Sequence, residues 1–267
     1  MAFDGNLGNM AREIITDCEE VPMHRLLPRL KGRPQPSSPP QSRPPDWHRT
    51  EVGGMWDEVG PLERDFLVSQ GLQPQHDLLD VGCGSLRGGV RFIEYLQPGH
   101  YVGIDMSQEL LDAGRTIELP RYGLTDKEPT LVQMEDFSFP TIGRQFDYAL
   151  AASVFTHLPL NDIILCLVNM GQVLKDEGTF FATFFPNERG RRHLGSLQHM
   201  RPDGEPFQTH FARDPFHYEL DDFRWACSGT GLRVDYIGEW GHFRNQKMLA
   251  FTKDPDHGSG ADAGSEP

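Results

Sequence analysis

A cluster of glycines follows a short apolar run near residue 80, and its spacing is typical of a ligand site. The run Leu78–Val81 leads into Gly82, Cys83 and Gly84, and a helical pattern begins at Val90. Glycine has no Cβ atom, so its backbone can come close to a ligand. The first turn of a helix also offers N–H groups without partners in the helix. A tight strand-to-helix turn would need the same glycines, so the cluster alone leaves both interpretations open.

An acidic residue follows the next apolar run at the spacing that a nucleoside site requires. Asp105 ends the run that begins at Tyr101, about 20 residues after the glycines. Its carboxylate could accept hydrogen bonds from both hydroxyls of an adenosine ribose. Arg87 stands where the dinucleotide pattern GxGxxG has its third glycine. The spacing therefore indicates a nucleoside without phosphates, S-adenosylmethionine (SAM) rather than NAD.

Short apolar runs alternate with amphipathic segments in the middle of the chain, which is typical of an α/β domain. Apolar residues at helical spacing predict two helices that bury one face on a sheet. Strands are predicted at 76–81, 101–104, 130–133, 146–152 and 179–185, and helices at 161–174 and 220–227.

Two later strand-like runs, 232–241 and 246–252, are joined by a short polar turn. Consecutive strands with so short a link must be antiparallel, because a parallel return needs a crossover connection. The sequence therefore predicts a parallel α/β sheet that ends in an antiparallel hairpin.

The two ends of the chain differ in composition from its middle. Residues 33–45 are rich in proline, which favours an extended linker, and residues 254–267 contain almost nothing to bury. We therefore expect an N-terminal extension with its proline-rich linker at 1–45, a folded domain at 46–253 and a disordered acidic tail at 254–267.

Charge and cysteine content narrow the classes of partner. The formal net charge is −14 at pH 7, whereas phosphate binding needs clustered Lys and Arg. No run approaches the ~20 apolar residues of a membrane span, and the N-terminus lacks the pattern of a secretory signal. The cysteines are scattered and form no CxxC pair, which is typical of reduced thiols rather than of disulfides or zinc sites; they are Cys18, Cys83, Cys166 and Cys227. We expect a cytoplasmic monomer or homodimer without a metal, a nucleic acid or a membrane partner.

Four segments, in order, resemble the motifs of the class I SAM-dependent methyltransferases. They are residues 79–84, Asp105 at the end of its strand, residues 146–159 and residues 173–181. The resemblance covers about residues 50–252. It implies a Rossmann-like, doubly wound, seven-stranded and mostly parallel sheet whose last strand is antiparallel. It also implies SAM as the cofactor and S-adenosylhomocysteine (SAH) as the product.

The resemblance assigns roles to the residues around the glycine turn. Asp80 would hold the turn, while the three residues Gly82, Cys83 and Gly84 would line the methionine and ribose end of SAM. Ser153, at the end of the fourth strand, would face the sulfonium. One departure is Leu86, because many members of the family have a glycine there.

Further roles concern the adenosine half of the cofactor. Asp105 would bind the ribose hydroxyls, and Met106 would pack on the adenine. An acid in the segment that ends at Phe137 would hold the adenine amino group, and spacing leaves Glu135 and Asp136 as alternatives.

Methyl transfer from a sulfonium needs a base only when the acceptor must lose a proton. His157, directly after the fourth strand, is the first candidate, and a role in capping the next helix would explain it as well. His217, before the later helix, is the second candidate, and a packing role would also explain it. His242 lies in the turn between the last two strands, where a surface or packing role is expected.

The acceptor is expected to be a small molecule that is methylated on oxygen, nitrogen or carbon, because no recognition domain for a macromolecule is apparent. A setting in specialised metabolism is one expectation. Two alternatives stay open, namely a macromolecular acceptor and a SAM-binding scaffold without activity. Residues 153–156 read Ser-Val-Phe-Thr, whereas family members that methylate amino groups on nucleic acids often have an Asn-Pro-Pro-Tyr-like motif there.

Overall fold

The structure is a computed structural model that describes residues 43–190, 193–201 and 204–255. The predictions for the N-terminal extension, for Cys18 and for most of the tail lie outside these residues, and the domain boundaries stay a prediction. Within the described ranges, no helix is long and apolar enough to cross a membrane.

Seven strands form one sheet in the order β3-β2-β1-β4-β5-β9-β8. The first five strands are parallel, whereas β9 is antiparallel to both β5 and β8. This confirms the predicted fold class, including the closing hairpin. The strands are β1 Leu78–Val81, β2 Tyr101–Asp105, β3 Thr130–Gln133, β4 Phe146–Ala151, β5 Leu174–Phe184, β6 Ser196–Met200, β7 Pro206–His210, β8 Leu232–Gly238 and β9 Lys247–Lys253.

Helices cover both faces of the sheet, so strands such as β1 and β2 are buried on two sides, whereas the edge strands β3 and β8 are partly exposed. Helices α6 and α7 pack on one face, and α2 and α3 pack on the other together with the helical segment that follows β2. In that segment a π-helical turn, Gly114–Glu118, joins α4 to α5. The helices are α1 Trp47–Glu51, α2 Trp56–Ser69, α3 Gly89–Tyr95, α4 Gln108–Ala113, α5 Leu119–Arg121, α6 Leu160–Val173 and α7 Leu220–Ala226.

The strand order reverses between β1 and β4, which are neighbours in the sheet. The connection after β1 therefore runs to one side of the sheet and the connection after β4 runs to the other. This leaves a crevice at the carboxyl ends of the two strands, where open α/β sheets bind their ligands.

Two helices and a two-stranded hairpin near the site were not predicted from the sequence. Helix α2 contains Gly60 and Pro61, which lower intrinsic helix propensity, and α1 is only five residues long. Strands β6 and β7 form a separate two-stranded sheet. Each of these strands has few apolar residues, so the alternation that identifies a strand is weak there. In addition, β5 begins at Leu174, five residues before the predicted start at Thr179.

Candidate active site

The glycine turn between β1 and α3 is shaped by contacts with the protein itself. Gly82 and Gly84 have positive φ angles of 73° and 55°, which favour glycine. A Cβ atom at Gly82 would lie 2.5 Å from Val154 Cγ2, and one at Gly84 would lie 2.6 Å from Val52 Cγ1. The space that the missing Cβ atoms leave is therefore filled by two valine side chains, which was not expected from the sequence.

The carboxylate of Asp105 holds the turn in place. Its Oδ2 accepts a hydrogen bond from Gly84 N at 2.9 Å, and its Oδ1 accepts one from Ser107 N at 2.8 Å. The backbone N–H groups of Gly82 and Cys83 both donate to Ile104 O, at 2.8 and 3.0 Å. The end of β2 therefore fixes the turn after β1.

The carboxylate of Asp80, at the end of β1, is buried and accepts a 2.6 Å hydrogen bond from the Tyr101 hydroxyl. Its role in holding the turn stays a prediction. Burial raises the pKa of Asp80 to about 6. Asp80 therefore supports β2 from inside the fold.

Leu86, the departure from the family pattern, occupies a backbone position that glycine would favour. Its φ is 74°, and its side chain is buried. A Cβ atom at Gly89 would lie 2.7 Å from Leu86 Cδ2, and one at Gly114 would lie 2.9 Å from Leu86 Cγ. Gly89 and Gly114 therefore leave the space that the leucine side chain occupies.

An exposed apolar side chain and two acids lie at the carboxyl ends of β2 and β3. Met106 directly follows Asp105 and is 57% exposed, and Gln133 Nε2 donates to its carbonyl oxygen at 3.1 Å. Asp136 Oδ1 accepts hydrogen bonds from Ser138 N at 3.2 Å and Ser138 Oγ at 2.6 Å, and these bonds lower the pKa of Asp136. A purine ring on Met106 and a diol on Asp105 fit this arrangement.

Two further residues of the predicted site lie beside these acids. Glu135 is exposed, and no side-chain hydrogen bond joins its carboxylate to another residue that the structure describes. Phe137 has a φ of 56°, and its ring lies 5.9 Å from that of Phe139. Phe137 is partly buried and packs against the core on the α6 side of the sheet.

Ser153 belongs to a polar group at the carboxyl ends of β4 and β5. Its backbone N–H donates to Thr183 Oγ1 at 2.7 Å, and its hydroxyl donates to Gln246 Oε1 at 3.1 Å. Thr183 Oγ1 donates to the same oxygen of Gln246 at 2.6 Å. Gln246 is buried and was not predicted, because nothing in the sequence links the start of β9 to Ser153.

Residues 79–180, from β1 into β5, match a sequence family described as a methyltransferase domain. This stretch contains the glycine turn, Asp105 and the whole of β4. Residues 79–180 therefore form a methyltransferase domain.

Solved structures of other methyltransferases share the fold. A SAM-dependent methyltransferase from Clostridium acetobutylicum aligns with a TM-score of 0.56 at 15% identity, over 76% of this chain and 94% of its own. The methyltransferase CcbJ from Streptomyces caelestis aligns with a TM-score of 0.56 at 12% identity, over 73% and 89% of the two chains. The glycopeptide N-methyltransferase MtfA, solved with SAH, aligns with a TM-score of 0.54 at 16% identity, over 82% and 100%.

The first candidate base of the methyltransferase, His157, is paired with an aspartate. It ends a short 3₁₀ turn, Phe155–His157, and its Nδ1 lies 2.5 Å from Asp214 Oδ1. The His157 side chain is 58% exposed, and its backbone N–H donates to Val154 O at 2.9 Å. Val154, whose carbonyl accepts this bond, is the residue whose side chain lies beside Gly82. Asp214 comes from the connection between β7 and α7 and was not predicted.

The second candidate base, His217, is buried. Its Nδ1 lies 3.0 Å from Thr209 Oγ1, and the same oxygen lies 2.9 Å from His199 Nε2. His217 Nε2 has no hydrogen-bond partner among the described residues. Burial lowers the pKa of His217, and three nearby histidines lower it further. The neutral form of His217 is therefore favoured.

The β6–β7 hairpin packs against the end of β5 through one face. Leu197 and Thr209 are paired across the hairpin and buried, whereas their neighbours along each strand are more exposed. The ring of Phe185 lies 5.1 Å from His199 and 5.4 Å from Phe207, on this same face. The hairpin therefore covers the carboxyl end of β5, next to the polar group around Ser153.

A buried cluster of charges fastens α1 to the helix that follows β2. Glu118 accepts hydrogen bonds from Arg49 at 2.7 and 2.8 Å and from Arg121 at 3.0 Å, and its Oε1 lies 2.6 Å from His48 Nε2. Asp46, His48 and Glu118 are the one group of described residues whose spacing could suit a metal ion. Two guanidinium groups already neutralise these carboxylates, so the group is better described as an ion-pair cluster.

The three cysteines within the described ranges are buried and form no disulfide with one another. Cys83 packs in the glycine turn, and a Cβ atom at Gly103 would lie 2.8 Å from its Sγ. Burial raises the pKa of the Cys83 thiol well above its ordinary value and that of Cys227 to about 12. Neither thiol is therefore a nucleophile at neutral pH. The third buried cysteine is Cys166.

Proposed function

We propose that this methyltransferase transfers the methyl group of SAM to an oxygen, nitrogen or carbon of a small molecule, in the setting of specialised metabolism. The observation that carries the proposal is the position of His157 and Asp214, an exposed histidine–carboxylate pair one short turn beyond β4. A small acceptor can reach this pair, which lies next to the glycine turn through Val154. Among the solved structures that share the fold, MtfA is named as a glycopeptide N-methyltransferase, and another as a magnesium protoporphyrin IX methyltransferase.

In this proposal the cofactor lies across the carboxyl ends of β1, β2 and β4. Asp105 accepts hydrogen bonds from the ribose through the lone pairs that Gly84 N and Ser107 N leave available. Met106 packs on the adenine. We assign the adenine amino group to Asp136 rather than to Glu135, because the hydrogen bonds from Ser138 hold the carboxylate of Asp136 in one orientation.

The methionine end is assigned to the glycine turn and Ser153. Gly82, Cys83 and Gly84 line it, and the backbone of Ser153 is held by Thr183 and Gln246. Bound SAM supplies an electrophilic methyl group on a positively charged sulfur. The residues of the protein then have to orient the acceptor and take up its proton.

His157 is proposed as the group that takes up this proton. With Nδ1–H donating to Asp214, the lone pair of Nε2 faces away from the carboxylate and can accept a proton from an acceptor hydroxyl or ammonium. The negative charge of Asp214 stabilises the imidazolium that results. His217 is proposed to contact the acceptor through its unpartnered Nε2 rather than to act as the base, because it is buried.

The cofactor assignment is tested by calorimetry on the full chain. We expect SAM and SAH to bind and NAD not to bind, because the turn offers a ribose-binding carboxylate but Arg87 in place of the third glycine. Binding of NAD without binding of SAM would refute the assignment of SAM as the cofactor, and with it the proposed function.

The role of His157 is tested on an acceptor found by screening small molecules for SAM-dependent release of SAH. His157→Ala is expected to lower turnover by about 100-fold, a typical contribution of a general base, while SAH affinity stays unchanged. Asp214→Asn should lower turnover in the same direction, since Asp214 orients the ring.

His76→Ala is the matched control, because His76 precedes β1 at the opposite end of the sheet. Normal turnover of His157→Ala on an acceptor that must lose a proton would refute the assignment. Release of SAH only with proteins or nucleic acids in the screen would refute the small-molecule proposal and leave the cofactor site intact.

We also propose a cytoplasmic location, a monomer or homodimer, and no nucleic-acid partner. The three buried, unpaired thiols support a reducing compartment. The net charge of −14 disfavours a polyanionic partner.

A further inference from the structure

A groove of about 230 Å³ opens between the start of β6 and the chain that follows β7. Residues 194–196 form one wall of the groove, and residues 210–213 form the other. None of these residues belongs to the set assigned to SAM. The groove is therefore a place where a second compound can bind beside the cofactor.

The two walls of the groove are joined to each other and to the end of β4. The hydroxyl oxygen of Ser196 lies 2.7 Å from His210 Nδ1, across the groove. The second wall is a loop closed at its base, because His210 N donates to Pro215 O at 2.7 Å. Phe216 N then donates to Thr156 O at 2.7 Å, which ties this loop to the 3₁₀ turn after β4. The groove and that turn are therefore held in one frame.

Large apolar side chains stand on both walls of the groove. Leu194 on the first wall is 64% exposed, and Phe211 on the second is 48% exposed. Contact of such side chains with water is unfavourable, and an exposed apolar patch is typical of a ligand groove. The two side chains therefore favour a compound with an apolar or aromatic body.

Arg213 gives the groove a positive charge. Its guanidinium group makes no hydrogen bond or ion pair with any other residue that the structure describes. The neighbouring acid, Asp214, is paired with His157 at 2.5 Å instead. A guanidinium group offers five N–H donors in a planar fork that matches a carboxylate. Arg213 can therefore bind a carboxylate one residue away from the proposed base pair.

The charge balance of the surrounding insert agrees with an anionic compound. Residues 185–219 contain five arginines and five acidic residues, so their formal charges cancel. The formal net charge of the whole chain is −14, and all of it therefore comes from residues outside the insert. An anion is repelled less at the insert than at the rest of the surface.

We propose that this groove binds the acceptor, and that the acceptor combines an apolar or aromatic body with a carboxylate. Leu194 and Phe211 contact the body, and Arg213 binds the carboxylate. The proposal rests on the proposed function, because the pair of His157 and Asp214 is what places the reacting atom of the acceptor beside the groove.

The carboxylate contact is tested by turnover at saturating SAM on pairs of screened acceptors, each as a free carboxylate and as its primary amide. The unaltered enzyme should have the higher kcat/KM for the carboxylate. Arg213→Gln should lower that kcat/KM by about 10-fold, the lower end for a charge-assisted hydrogen bond, because the groove is open to solvent. The kcat/KM for the amide should not change. Arg213→Lys should recover part of the loss, since it keeps the charge without the planar fork.

The contact with the apolar body has a different signature in the same assay. Phe211→Ala should lower kcat/KM by about 10-fold for both members of a pair, because the carboxylate and the amide share the same body. Arg213→Gln therefore changes the preference within a pair, whereas Phe211→Ala leaves that preference as it is.

Two control variants lie at the turn between β6 and β7, at the opposite end of the hairpin from the groove. Arg201→Gln removes the same charge as Arg213→Gln, and Met200→Ala removes another exposed apolar side chain. Neither variant should change kcat/KM for either member of a pair. All four variants should bind SAH as the unaltered enzyme does, which shows that the fold is kept.

The inference is overturned if Arg213→Gln lowers kcat/KM equally for the carboxylate and the amide, or if Arg201→Gln lowers it as strongly for the carboxylate. It is also overturned if the acceptors that the screen finds carry no carboxylate. If the unaltered enzyme releases SAH with no small molecule at all, the proposed function fails and the groove proposal fails with it. The first three results leave the proposed function intact, so the two failures can be told apart.

Discussion

Asp105→Ala is expected to raise the Kd for SAH by about 100-fold or more. The carboxylate accepts the N–H groups of Gly84 and Ser107, and in the proposed function it also accepts the ribose hydroxyls. A buried N–H group left without a partner costs about 1–3 kcal/mol, and each 1.4 kcal/mol is a factor of ten in affinity. Calorimetry with SAH measures the change.

Two further variants separate the roles of Asp105. Asp105→Asn keeps one acceptor oxygen and should lose less affinity than the alanine variant. Asp112→Ala, on α4 and exposed, is the control and should bind SAH normally. Unchanged SAH affinity of Asp105→Ala would contradict both the ribose contact and the role of Asp105 in holding the turn.

Binding of the cofactor should also respond to pH through Asp105. Burial raises the pKa of its carboxyl above the ordinary value of 3.8, although the two backbone hydrogen bonds act in the opposite direction. SAH affinity should therefore be full at neutral pH and fall as the pH drops toward this raised pKa. The change should begin at a higher pH than for an ordinary aspartate, and Asp105→Asn should remove it.

Glu118→Gln is expected to lower the free energy of unfolding by about 3–5 kcal/mol, the usual cost of removing one partner of a buried ion pair. Glu118 is fully buried and contacts His48, Arg49 and Arg121. The amide cannot balance the charge of the arginines, and α1 loses its main attachment to the π-helical turn. Urea unfolding measures the change.

The pH dependence of stability tests the same cluster. Burial acts to raise the pKa of Glu118, but Arg49 and then His48 lower it more, so the net shift is downward from 4.5. A carboxyl with a lowered pKa in the folded state stabilises the protein above its unfolded pKa and stops doing so as the pH falls through the folded pKa. Glu118→Gln should remove this loss of stability in acid.

Glu94→Gln, on the exposed face of α3, is the control for both measurements. If Glu118→Gln lowers the free energy of unfolding by less than about 1 kcal/mol, the cluster is not what attaches α1 to the rest of the fold.

The parts of the site that follow regular strands could be predicted from the sequence. Parallel strands β1 and β2 are neighbours, so a residue just after one lies beside the end of the other, and the contact between Asp105 and Gly84 follows. The closing hairpin was predictable because a short connection permits only antiparallel strands.

The remaining contacts depend on residues far apart in the chain. Asp214 reaches His157 from the end of an inserted hairpin, and Arg244 reaches Gly53 across 191 positions. No periodic pattern in the local sequence predicts contacts between residues so far apart in the chain. The hydrogen bond between Asp80 and Tyr101 on the neighbouring strand also has no signal in the local sequence.

The inserted β6–β7 hairpin forms its hydrogen-bonded ladder within itself and adds no strand to the seven-stranded sheet. In the proposed function, the chain that leaves it supplies Asp214 and His217 to the acceptor. Substitutions within residues 185–219 could therefore change which compound is methylated, while the residues assigned to SAM stay the same. The same division makes this insert the natural target for a mutant library intended to redirect the enzyme to new acceptors.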